Sequence, residues 1–119
     1  MEIDHLVFAA RDLAASAAHY GRLLPVLGFR KERDHVWSNE QRVFLELRQA
    51  KDSSHGYARS GVGLNHLGVR AASRAQVDAV VAELRATGVD VPEPQIIGAA
   101  YVVFVPDPDG MRVEIGFDP

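Results

Sequence analysis

The sequence predicts an α+β fold assembled from two copies of one module: a strand, a helix, then two or three strands. Three observations predict it. The segment Ile3-Asp4-His5-Leu6-Val7-Phe8 returns as Leu64-Asn65-His66-Leu67-Gly68-Val69. Each copy is followed by a stretch with helical spacing, and each closes on a strand carrying one glutamate, Phe-Leu-Glu-Leu around Glu46 and Arg-Val-Glu-Ile around Glu114. Between the copies lies a run of small and polar residues, 50–61, of the kind that forms loops. Self-similarity on this scale marks a duplicated supersecondary unit, so the half-modules are placed at about 1–50 and 62–119 of one domain.

In order along the chain, residues 3–9 are apolar and β-branched, which predicts a mostly buried strand. Asp12 offers an N-cap to a helix running from Leu13 to about Leu24, where Pro25 and Gly28 stop it. Strands are predicted at about 29–38 and 42–49, turning through Ser38-Asn39-Glu40. In the second, Val43, Leu45 and Leu47 point one way and Phe44, Glu46 and Arg48 the other. In the second copy a strand spans 64–69, and Ser73 caps a helix striped by Val77, Val80, Val81 and Leu84 that ends at Gly88. Short strands follow at Gln95–Ile97 and Tyr101–Val105. Pro106-Asp107-Pro108-Asp109-Gly110 reads as a tight turn, and Arg112 to Phe117 closes the chain.

Composition narrows the function. The 119 residues are 47% hydrophobic and 24% charged, as in ordinary globular proteins. A net charge of −3 and scattered Lys and Arg argue against nucleic acid as partner, since phosphate binding needs a basic stripe. The absence of cysteine excludes disulfides, zinc–thiolate sites and thiol nucleophiles. No basic leader and no apolar run of membrane length is present, so a cytoplasmic protein without a membrane partner is expected.

The chemistry concentrates in the matched positions. His5 and His66 fall at the same place in the opening strand of each copy, and Glu46 and Glu114 in the closing strand. A carboxylate on an apolar strand is costly to desolvate unless it is paired or bound to a metal. Two imidazoles and two carboxylates converging from equivalent strands would satisfy one another around a divalent cation such as Zn, Fe, Ni, Co or Mn. Taken singly, each of the four has a blander reading, a hydrogen-bonded strand histidine or a glutamate on a solvent face. The matched placement is what favours ligation. Phe44, Arg48, Tyr101 and Arg112 are expected to line a pocket, with Arg48 and Arg112 at two positions from their glutamates and placed to neutralise a substrate carboxylate.

Other positions carry less. His19 on the first helix, His35 and the loop His55 read as surface or contact residues, and Trp37 as packing. Asp107 and Asp109 lack the further ligands of a calcium loop. Gly61-Val62-Gly63 has neither the lysine nor the helix of a phosphate cradle.

Asp4-His5-Leu6 with Arg11-Asp12-Leu13, Leu27-Gly28-Phe29, Asn65-His66-Leu67, and Asp107-Pro108-Asp109-Gly110 leading to Val113-Glu114-Ile115 together resemble the vicinal oxygen chelate superfamily of glyoxalases, bleomycin-resistance proteins and extradiol dioxygenases. The resemblance covers the whole chain and implies paired βαβββ modules, a cupped mixed sheet, often a homodimer, and a metal held by His5, Glu46, His66 and Glu114. It further implies a small-molecule substrate that offers two neighbouring oxygens to that metal, and a ligand glutamate, Glu114 or Glu46, as general base. The positions where glyoxalase I holds glutathione are Ala9 and Ala50 here, so a substrate other than a glutathione adduct is implied. Fosfomycin-resistance enzymes carry threonine where this chain has Val7. The expectation is a metal-dependent lyase, isomerase or dioxygenase. The alternative is a metal-free binding protein of the bleomycin-resistance kind.

Overall fold

In the computed structural model, which describes residues 1–119, the duplication becomes two units, Met1–Gly56 and Tyr57–Pro119. The first runs β1 (His5–Ala10), α1 (Leu13–Val26), β2 (Arg30–Arg33), β3 (Val36–Ser38) and β4 (Phe44–Gln49). The second runs β5 (His66–Arg70), α2 (Arg74–Ala86), β6 (Gln95–Ile97), β7 (Ala100–Pro106) and β8 (Arg112–Phe117). Each is a βαβββ module closing its own four-stranded mixed sheet, ordered β1-β4-β3-β2 and β5-β8-β7-β6. In both, the opening strand lies parallel to the closing one and the other neighbours are antiparallel. A parallel pair requires a long crossover, and here the helix supplies its first part.

The two helices start and stop alike. Asp12 accepts a hydrogen bond from the Ala15 amide and Ser73 one from the Gln76 amide, both at 3.1 Å, so each first turn is capped by the predicted residue. At the other end Gly28 and Gly88 take φ of 88° and 89°, a conformation that glycine adopts without strain. The amides of Phe29 and Val89 reach back to the carbonyls of Leu24 and Leu84, and those of Gly28 and Gly88 to Pro25 and Arg85. This is the same Schellman closure in both copies. α1 continues past the expected Leu24 to Val26, because Pro25 in the last turn gives up only its own amide and still offers its carbonyl to Gly28.

Periodicity sets the cores. In the first unit Tyr20, Leu23 and Leu24 of α1 are buried, as are Trp37, Leu45 and Leu47 of the sheet. In the second, Val77, Val81 and Leu84 of α2 are buried with Val103, Val105, Val113 and Ile115. Each large aliphatic side chain so buried contributes about 1.5–3 kcal/mol. Because strand residues alternate, packing Leu45 and Leu47, or Val113 and Ile115, against the helix turns Glu46 and Glu114 to the opposite face.

One stretch departs from expectation. Residues 29–38 form a hairpin rather than one strand: the chain turns at Asp34-His35, with His35 at φ 64°, and a register irregularity separates Lys31 from Arg33. Residues 50–61 contain neither helix nor strand. No helix is long and apolar enough to cross a membrane.

Candidate functional site

In the second unit, parallel pairing sets His66 opposite Arg112 and Gly68 opposite Glu114, so His66 and Glu114 are diagonal neighbours on the face away from α2. Their side chains meet, His66 Nε2 lying 2.9 Å from Glu114 Oε2. The other ring nitrogen, Nδ1, lies 2.7 Å from Asn65 Oδ1. The orientation of that amide follows from its neighbours: Asn65 Nδ2 donates to the Arg59 carbonyl, and Oδ1 accepts from Arg112 at 3.1 Å. The Tyr57 hydroxyl reaches the carbonyls of Leu64 and Asn65, 2.7 Å each, and fixes the backbone leading into β5. Both imidazole nitrogens therefore face acceptors. A neutral imidazole has one N–H and can donate to one of them only. A cation bound by one ring nitrogen and the carboxylate would satisfy both groups.

Around this pair the walls are chosen. Phe104 of β7 meets the His66 ring edge to face at 5.3 Å, and the Arg112 guanidinium lies 4.4 Å over the Phe104 ring. Glu114 is flanked by Gly68 on β5 and by Gly116 two residues on. A Cβ at Gly116 would sit 2.9 Å from Glu114 Oε1 and from Val102 Cγ1, so glycine at this position leaves the carboxylate its space. A cleft of about 290 Å³ opens here, lined by Glu114, Gly68, Gly116, Val102, Ala100 and Phe117 among others. A second cleft of about 410 Å³ has Tyr57, Arg59, Gln95, Phe104 and Arg112 in its wall.

The first unit repeats the skeleton with different dressing. His5 Nδ1 lies 2.6 Å from Asp4 Oδ2, so in both copies the residue before the histidine holds Nδ1 of the ring. Outer partners of this kind are what hold imidazole ligands in metal sites. Glu46, by contrast, is gripped by Arg48: Nε donates to Oε1 at 2.9 Å and Nη2 to Oε2 at 3.1 Å. These hydrogen bonds hold the Glu46 carboxyl below its usual range against the opposing effect of desolvation, with the charges of Arg48, Arg33 and His5 adding. Phe44 pairs across the sheet with His5 and shares its face. Nearby, the Ser38 hydroxyl and Arg30 both donate to Glu32.

Of the quartet expected from sequence, His66 and Glu114 meet in the second unit, while in the first His5 is held by Asp4 and Glu46 by Arg48, and no group of three or more His, Asp or Glu is gathered to hold a metal ion. Of the four expected pocket residues, Phe44, Arg48 and Arg112 lie on the glutamate faces. Tyr101 does not. It pairs with Phe117, shares parity with Val103 and Ile115, and donates its hydroxyl to Asp78 of α2 at 2.6 Å, which corrects the placement expected for it. Arg112 donates to Asn65 and lies over the Phe104 ring. Sequence reasoning gave no role to Asp4, Asn65, Phe104 and Gly116. The first two carried a signal, an amide or carboxylate immediately before each repeated histidine.

A family model described as Glyoxalase/Bleomycin resistance protein/Dioxygenase superfamily matches residues 2–115. The chain is similar to the uncharacterized protein YqjT of Bacillus subtilis (strain 168), at 35% identity over 95% of this chain and 96% of that one. Among solved structures it is similar to a glyoxalase-like protein of Bacillus halodurans, with a TM-score of 0.80 and 26% identity over 97% and 94% of the two chains. It is also similar to the lactoylglutathione lyase of Agrobacterium tumefaciens, with a TM-score of 0.65 and 26% identity over 98% and 92%.

Proposed function

The chain belongs to the Glyoxalase/Bleomycin resistance protein/Dioxygenase superfamily, and from that premise we propose that it is a metal-dependent enzyme acting on a small molecule with vicinal oxygens, without glutathione. In this reading His5, Glu46, His66 and Glu114 are the ligands of a divalent cation (Zn, Ni, Co, Mn or Fe). The observation that carries it is the His66–Glu114 contact, where an imidazole held at its other nitrogen by Asn65 faces a carboxylate at 2.9 Å. The donor set fits a borderline divalent ion, and the same ring-orienting contact occurs at His5. Bound there, the ion would act as a Lewis acid toward two substrate oxygens.

The chain's own residues supply the rest. Glu114 is the better general base: the glycine at 116 leaves it room to move a proton at a carbon beside a carbonyl, whereas both Glu46 oxygens are held by Arg48. Arg112, stacked on Phe104, and Arg48 present guanidinium groups to a substrate carboxylate, and Phe44 supplies an apolar wall. Ala9 and Ala50 offer no polar anchor for a glutathione moiety. A homodimer is part of the reading, since Ile3, Val7, Leu64, Ile96 and Ile97 are exposed apolar residues that a second copy would cover; light scattering on the purified protein tests it. The functional test is a panel of α-oxo and catecholic compounds assayed after chelation and after adding back single metals. Turnover restored by one metal is expected, and turnover indifferent to chelator would count against metal dependence.

A second reading, metal-free ligand binding, draws on the cleft of about 410 Å³ walled by Tyr57, Phe104 and Arg112, which none of the four candidate ligands lines. Stoichiometric ligand binding unchanged by chelator would favour it.

A further inference from the structure

The two closing strands differ at one position that bears on metal loading: two residues after the glutamate, β4 carries Arg48 and β8 carries Gly116. We propose that Arg48 is a resident counter-ion that guards Glu46 in the metal-free protein and passes to an anionic substrate oxygen once a cation takes the carboxylate. The inference rests on the metal-ligand reading of Glu46 given above.

The geometry leads there directly. Arg48 spends both of its hydrogen bonds on Glu46, one to each oxygen, in the forked pairing that suits guanidinium and carboxylate. The fork takes one lone pair on each oxygen, and a divalent ion drawn to the same carboxylate would share its charge with the guanidinium and be repelled by it. Guanidinium and metal therefore compete. Arg48 is well exposed, with 62% of its side chain open to solvent, so nothing in the packing prevents it from swinging away. Once displaced, it remains on the same strand face two residues from Glu46, where its planar fork meets an oxyanion as readily as it met the carboxylate. The second unit has no such device, because Gly116 bears no side chain and a Cβ there would already collide with Glu114. Arg33 also acts on Glu46, but makes no fork to it and would reinforce Arg48 by charge alone.

The two halves of the exchange predict effects of opposite sign, which general damage to the protein could not produce. Nickel affinity is measured by titration calorimetry on full-length wild type, Arg48→Ala and Arg48→Lys, and then oxalate affinity on the nickel-loaded forms. Removing a screened, forked competitor should tighten nickel binding roughly two- to fivefold in Arg48→Ala. Losing a charged donor should weaken oxalate roughly tenfold in the same variant. Arg48→Lys, which keeps the charge and loses the fork, should fall between the two on both scales. Nickel binding unchanged or weakened in Arg48→Ala, or oxalate binding unaffected, would overturn the exchange while leaving metal ligation intact. A wild type that binds no nickel would remove the exchange together with the reading beneath it.

Discussion

The two units are one scaffold used twice, and the comparison between them separates what duplication preserves from what it frees. Strand order, parallel register, helix caps, Schellman closures and the residue that orients each histidine all recur. The glutamate neighbourhoods do not. Glu46 is clamped by an arginine, while Glu114 faces a histidine in a bed of glycines. Backbone-determining features are kept because each module must still close its own sheet. The face that carries chemistry is free to diverge, and it has become asymmetric at positions 48 and 116.

That asymmetry can be broken from either side, and the largest effects should come from the ligands. Glu114→Ala should reduce metal affinity by more than loss of an outer partner does, which is roughly 10–100-fold in known sites. Glu46→Ala should lose less, since its carboxylate must first be taken from Arg48; equal losses in calorimetric titrations would show that the fork has no influence on loading. Next come the glycines beside Glu114. Gly116→Ala places a Cβ 2.9 Å from two neighbours and should cost about 1–3 kcal/mol of stability, as overpacking does, whereas Gly68→Ala meets nothing within 4 Å and should stay within about 0.5 kcal/mol. Urea denaturation of the two variants decides this. Smaller still are the caps: Asp12→Ala and Ser73→Ala should each cost about 1 kcal/mol, and a gap much beyond a few tenths between them would contradict the equivalence of the two helices.

The smallest effect concerns a contact the first unit lacks. The hydrogen bond to Asp78, aided by desolvation and the Asp78 charge, raises the Tyr101 phenol above its ordinary value near 10. A group whose folded value is raised contributes stability that is whole below the unfolded value and is lost as pH rises through the folded one. Stability should therefore fall slightly more steeply above pH ~10 in wild type than in Tyr101→Phe. Parallel thermal melts between pH 9 and 11 would check it, and identical slopes would remove the contact from the account.

Much of the skeleton was legible in the residues themselves. The repeated Asp-His-Leu and Asn-His-Leu segments, Asp12 and Ser73 ahead of helical stripes, and Gly28 and Gly88 behind them are local signals with local causes. The hairpin at Asp34-His35 was not legible, since no glycine or Asn-Gly pair announces a turn and it is a histidine that takes the positive φ of 64°. At the site, alternation set Phe44, Glu46 and Arg48 on one face of β4 and Leu45 and Leu47 on the other, and the latter two are buried. It misplaced Tyr101, because Tyr101-Val102-Val103-Phe104-Val105 is apolar throughout and its parity is invisible until it pairs with β8. The role of Gly116 needed coordinates as well, for only there does the absent Cβ coincide with the Glu114 carboxylate.

The most direct test of the central claim is metal stoichiometry. Purified protein, stripped and then dialysed against nickel or zinc, should retain one ion for each set of His5, Glu46, His66 and Glu114. That retention should disappear in His66→Ala and in Glu114→Ala while their folds, followed by circular dichroism, persist. Retention unchanged in both variants, or no retention by the wild type, would contradict the assignment of His5, Glu46, His66 and Glu114 as ligands.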